Sequence, residues 1–213
     1  MDTPPRLTPL LEQFDWGCLR LLNRITGPEV DSGNGSPVPA SLMTDEEYLW
    51  EPVRGSWSVR RRAEGPGPRA TSLAGAGEWG RDTYRDKEPY PPPFTTIAWR
   101  LSHLTELLVM RADYTSGSRS MTEDTFVVSG DAGSAVAAVT KAVEAWRSTL
   151  IHCDDAALDT VGYSMYPYGS DAEEMFIDIV WWVNQEVLHH GAEIALLRDL
   201  YRDSGHPHGG VRR

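Results

Sequence analysis

Four segments of this chain repeat apolar residues at alternating steps of three and four, the spacing of helices that bury one stripe each against their neighbours. The first runs Leu7, Leu11, Phe14, Cys18, Leu21 and Ile25. Thr8 is its expected N-cap, Pro9 its first helical residue, where a missing N–H costs nothing, and Gly27 its stop. The second reads Ile97, Leu101, Leu104 and Leu108, between the helix-excluding Pro91-Pro92-Pro93 and Ser116-Gly117. The third reads Val136, Val139, Val143, Trp146, Leu150 and Cys153. The fourth runs Phe176, Val180, Val183, Val187, His190, Ile194, Leu197 and Tyr201, opened by the capping-box spacing of Ser170 and Glu173 and stopped near Gly205. The pattern predicts an all-α chain, an antiparallel four-helix bundle in which each stripe is covered by the other three.

Two connections are far longer than bundle loops need to be. The first covers about residues 28–93 and is expected to be irregular, with Gly/Pro-rich sequence from Glu64 to Gly80 reading as loop. Within it Thr44-Asp45-Glu46-Glu47 has capping-box spacing, which places Tyr48, Leu49 and Trp50 on a short helix. Tyr48, Trp50 and Trp57 are expected to pack this connection onto the bundle. The second long loop, Asp154 to Gly169, carries Tyr163, Tyr166 and Tyr168, which could line a pocket mouth. Tyr163 and Tyr166, with Trp181 and Trp182, offer surface for either a pocket or an interface. The tail at about 204–213, with His206 and His208, is expected to be disordered. A chain of 213 residues with 40% hydrophobic content reads as one domain over 1–213.

Charge narrows the partners. The net charge of −11 repels phosphate backbones and anionic lipid, and Arg60-Arg61-Arg62 is short enough to be a solvated loop. No nucleic acid and no membrane partner is expected. Two cysteines, Cys18 and Cys153, fall on seam positions far apart in sequence, as in a reducing compartment. The amino terminus lacks a signal-peptide pattern and no apolar run approaches the roughly 20 residues of a membrane span, so the expectation is a soluble, cytoplasmic protein.

The chemistry concentrates on the fourth helix, in Glu186-Val187-Leu188-His189-His190-Gly191-Ala192-Glu193. Residues four apart share a helix face with Cβ atoms roughly 5–6 Å apart, so Glu186 and His190 can converge on one ion. A buried carboxylate is costly unless a cation or good donors meet it. His103 sits beside the Leu101/Leu104 seam of the second helix and could supply a third ligand. Two imidazoles and one carboxylate would leave coordination positions open, as in a reactive site. The alternative is that Glu186 and His190 only hydrogen bond to each other and that His103 is a satisfied core residue. His189 is turned about 100° from His190, which makes it a flanking residue. Glu193 could orient an imidazole or pair with Arg100, and spacing does not decide between them. Arg100 or Arg198 could hold an anionic substrate, although a surface salt bridge is the preferred reading of both.

His103, the Glu186-x-x-x-His190 pair followed by Gly191-Ala192-Glu193-Ile194, and the helix lengths resemble the DinB-like metal-binding bundle superfamily over about Leu7 to Tyr201. Many members carry three histidines, and Glu186 in place of one of them is similar to the metal site of mycothiol-dependent maleylpyruvate isomerases. The resemblance implies that His103, Glu186 and His190 bind Zn2+ or a similar divalent ion, with Ni2+ and Fe2+ as alternatives. It also implies a low-molecular-weight thiol and an electrophile as substrates of a transferase or isomerase. Those isomerases carry a further carboxy-terminal domain for which 213 residues leave no room, so their substrate does not carry over. Metal-assisted hydrolysis, and a non-catalytic metal-stabilised bundle that forms a homodimer, are the competing expectations.

Overall fold

Each apolar stripe is a helix in the computed structural model, which describes residues 3–27, 30–31, 37–38, 42–165 and 171–205. In chain order the helices are α1 (Thr8–Thr26), the short α2 (Asp45–Leu49), α3 (Ile97–Ser116), α4 (Ala132–Ile151), the single-turn α5 (Asp155–Leu158) and α6 (Phe176–Asp203). The chain is mostly helical, and its four long helices share one core. α3 packs against α4 and α6, and α1 packs against α6 and α4. Leu11, Phe14, Leu101, Leu104, Val139, Trp146, Leu150, Phe176, Val180 and Val187 are all buried where the periodicity puts them. Fully burying one such Leu, Val or Phe is worth roughly 1.5–3 kcal/mol. Trp146 has no exposed surface and meets the Phe176 ring edge-on at 6.0 Å.

The helix ends match the reading in part. Thr96 accepts from Trp99 N at 3.2 Å and Asp131 from Ser134 N at 2.8 Å, each supplying an orphan amide of the first turn with a partner. Gly27 closes α1 in the left-handed region at φ 64°, where a side chain would be strained. The N-cap of α1 is Leu7 and not Thr8, whose hydroxyl donates to Pro4 O at 3.2 Å instead, with proline in the first turn as expected. The predicted box at Ser170 and Glu173 does not open α6. Glu173 lies in a separate 3-10 turn, Asp171–Glu173, and α6 begins at Phe176 with Met175 as N-cap. Ser170, Tyr166, Tyr168, His206 and His208 lie outside the described residues.

The first connection departs from the expected loop. Val30–Asp31 (β1) pairs with Pro37–Val38 (β2), and a three-stranded antiparallel sheet forms from β3 (Val59–Arg61), β4 (Ser72–Ala74) and β5 (Trp79–Thr83) in the order β3-β5-β4. Its register pairs Val59 with Arg81 and Leu73 with Asp82. Gly75 and Gly77 take positive φ in the turn between β4 and β5, so the glycines that suggest a loop make the hairpin. Asp82 is fully buried and accepts from Ser58 N at 2.9 Å, Gly67 N at 2.7 Å and Arg60 Nε at 2.8 Å. The three arginines are therefore not a solvated loop. Arg60 also reaches Glu51, Arg61 pairs with Glu78 and covers Trp79, and Arg62 donates to the carbonyls of Leu73 and Ala74.

Tyr48 and Trp50 fasten this connection to the helical core: Tyr48 is buried and donates to Ser129 O at 2.9 Å, and Trp50 meets Tyr201 edge-on. The Trp57 side chain instead stays within the connection, where Nε1 donates to Pro68 O at 3.1 Å. At α2 the Thr44 hydroxyl accepts from Glu47 N, but the Glu47 carboxylate turns away to take Arg198 Nε at 2.6 Å and Nη2 at 2.9 Å. In the second long connection α5 forms, and Tyr163 packs on Phe176 at 4.9 Å between ring centroids. Among the described residues no helix is long and apolar enough to cross a membrane. Cys18 and Cys153 are buried and unpaired.

Candidate metal centre

The contact between α3 and α6 brings His103 to Glu186 and His190. One ligand atom from each lies within 4.8 Å of the other two, and no other group of three or more such side chains is found among the described residues. His103 Nε2 is 3.2 Å from Glu186 Oε2, and His190 Nε2 is 3.5 Å from that same oxygen. Two bonds of about 2.0–2.2 Å at a tetrahedral angle separate their ligand atoms by about 3.3–3.6 Å. The observed separations therefore suit one small cation without large rearrangement. They also suit a hydrogen bond from His103 to Glu186, which is how the carboxylate is satisfied when no cation lies between them.

The rings are held from behind. Trp99, one turn before His103 on α3, stacks on its imidazole at 5.3 Å with 22° between planes, and Trp99 Nε1 is anchored on Asp82 O at 2.8 Å. The sheet thus supports His103 through β5. The His103 and His190 rings stand nearly perpendicular, with centroids 5.0 Å apart. Side-chain exposure of 28% for His103, 16% for Glu186 and 12% for His190 leaves the cluster reachable from solvent.

Electrostatics favour ligation. Burial lowers the His103 pKa to about 4, so its imidazole is neutral at pH 7 and offers an Nε2 lone pair to a metal once its single ring proton sits on Nδ1. The hydrogen bond from His103, with the His190 ring beside the same oxygen, holds the Glu186 carboxyl well below the usual carboxylate range. The Glu186 carboxylate therefore meets an entering cation already ionised.

Glu193 does both things left open by its spacing. Its Oε2 lies 2.7 Å from His190 Nδ1 and also meets the Arg100 guanidinium, while Oε1 lies 3.3 Å from His189 Nε2. His189 points outward, more than half exposed, and lines a surface groove with Trp181, Gln185 and Leu188. Neither arginine is a surface residue, contrary to the preferred reading: Arg100 is 8% exposed and Arg198 fully buried against Glu47. Trp182 is partly exposed with Arg111 over its ring, and Trp181 is exposed.

Residues that spacing did not single out complete the surroundings. Arg81 of β5 is buried, pairs with Glu106 at 2.5 Å, lies over Trp99 and adds a positive charge felt at His103. Glu106 stands one turn after His103 and Trp99 one turn before it, so the helical spacing of α3 could have nominated both. Arg81 has no such signal, since it arrives from a strand the sequence presents as loop.

No curated protein and no solved structure matches the chain. The profile of the DinB superfamily matches residues 78–194, a stretch that runs from β5 through His103, Glu186 and His190. Because that match covers more than half of its length, the chain belongs to the DinB superfamily.

Proposed function

We propose that His103, Glu186 and His190 bind one divalent metal ion, and that the protein is a transferase or isomerase that activates a low-molecular-weight thiol toward an electrophile. The convergence of three donor atoms from α3 and α6 within 4.8 Å carries the reading. Two imidazoles and a carboxylate make Zn2+ the first candidate, with Ni2+ and Fe2+ taking the same donors. An ion held by three protein ligands keeps a position open and lowers the pKa of a thiol or water that occupies it.

The chain's own residues do the rest. His103 is held flat on Trp99, Glu186 supplies the negative charge, and the partial exposure of all three leaves an approach for a small molecule. We read the four long helices as the antiparallel bundle of the superfamily and residues 1–213 as one domain built on it. The preference for a thiol rests on the similarity of the Glu186 ligand pattern to mycothiol-dependent maleylpyruvate isomerases. Buried, unpaired Cys18 and Cys153 agree with a reducing compartment in which such thiols are abundant.

The test is product analysis by mass spectrometry of zinc-loaded protein against a panel of electrophiles, with and without added thiol. Thiol-dependent product that disappears in His103→Ala and Glu186→Ala is the expected result. Turnover without thiol would replace the transferase with a hydrolase, and a loaded protein inert to the whole panel would replace it with a non-catalytic bundle.

A further inference from the structure

The two histidines of the cluster are held in different ways, and the difference lies in Glu193. A neutral imidazole carries one N–H, so it can donate to one partner and must offer a lone pair to the other. His190 faces a carboxylate on each side: Glu193 Oε2 at 2.7 Å from Nδ1 and Glu186 Oε2 at 3.5 Å from Nε2. The first is a full hydrogen bond and the second lies beyond the range of a good one. In the neutral ring the proton therefore belongs on Nδ1.

Glu193 is itself fixed. Arg100 meets the same Oε2 from α3, three residues before His103, and His189 approaches Oε1. The tie crosses between α3 and α6 just as the ligands do. His103 is positioned by its stack on Trp99 instead.

Resting on the metal reading above, we infer that Glu193, anchored by Arg100, is the positioning residue that holds His190 as the Nδ1–H tautomer and keeps its Nε2 lone pair turned toward Glu186 and His103. Carboxylates that hold a ligating histidine in this way commonly govern metal affinity by 10–100-fold. A purely structural Arg100–Glu193 ion pair would alter stability and leave the tautomer alone.

The experiment reads the imidazole tautomers by 15N NMR on the full chain stripped of metal, then zinc affinity by competition with a chromophoric chelator. Wild type is expected to show His190 as Nδ1–H. Glu193→Ala is expected to move the proton to Nε2, where Glu186 is the remaining acceptor, and to weaken zinc binding by at least tenfold. Glu193→Gln keeps an acceptor oxygen, so it is expected to retain the Nδ1–H form, and it carries the test if the alanine variant does not fold. An Nε2–H tautomer in wild type, or a loss in Glu193→Ala of less than tenfold, would overturn the inference. Wild type that binds no zinc would remove the metal reading instead, while the tautomer measured without metal still decides the role of Glu193.

Discussion

Replacing Glu47 with alanine should destabilise the fold far more than its place on a five-residue helix suggests. Arg198 is fully buried and Glu47 is 3% exposed, and they meet through two hydrogen bonds of 2.6 and 2.9 Å across 151 residues of sequence. Exposed ion pairs contribute about 0–1 kcal/mol, whereas removing one partner of a buried pair costs about 3–5 kcal/mol because the other charge loses its carboxylate. For a chain of this size each kcal/mol shifts Tm by about 2–4 °C, so Glu47→Ala should melt about 6–20 °C below wild type. Urea unfolding followed by far-UV circular dichroism and tryptophan fluorescence measures the loss. The double variant Glu47→Ala/Arg198→Met removes both charges and should recover part of it. A cost under about 1 kcal/mol for Glu47→Ala, or a double variant no better than the single one, would refute the buried pair and with it the claim that this connection is tied to α6.

Two further outcomes follow from the same burial. The His103 pKa is lowered from the ordinary 6.5 to about 4, so between those values the unfolded chain binds the extra proton and the folded chain does not. Stability contributed here is intact above pH 6.5 and falls as the pH drops toward 4, and an NMR titration of His103 in metal-stripped protein should find its midpoint near 4 and not above 6. Burial pushes the thiols of Cys18 and Cys153 up to about 12 and about 11. A thiol reagent at pH 7.5 should therefore count almost none in folded protein and two after denaturation, and a rapidly reacting cysteine in the native state would contradict their placement in the core.

The helical part of the fold was legible because its signal is local: Leu101, Leu104 and Leu108, or Val180, Val183 and Val187, declare a buried face by spacing alone. Thr44 shows why caps read less evenly. Thr44 and its box were visible, yet Glu47 left the box for Arg198, a partner no local pattern reveals. The sheet has no local signal because its strands are short, two of the three carry charged residues and glycines fill the turns between them, and what fixes them is Asp82 gathering Ser58, Arg60 and Gly67 from separate places. At the candidate site Glu186 and His190 were legible from helical geometry, and His103 from being a histidine beside a buried seam. The grip of Glu193 on His190, the Trp99 plate and the charge of Arg81 depend on how α3, α6 and β5 meet, which periodicity does not encode.

The most direct test of the account is elemental analysis of the protein purified without added metal, run beside His103→Ala, Glu186→Ala and His190→Ala. One divalent ion per wild-type chain is expected, with loss of that ion in all three variants and helical content retained. A wild-type chain that carries no stoichiometric ion and takes up none from zinc, or variants that keep the ion, would contradict it.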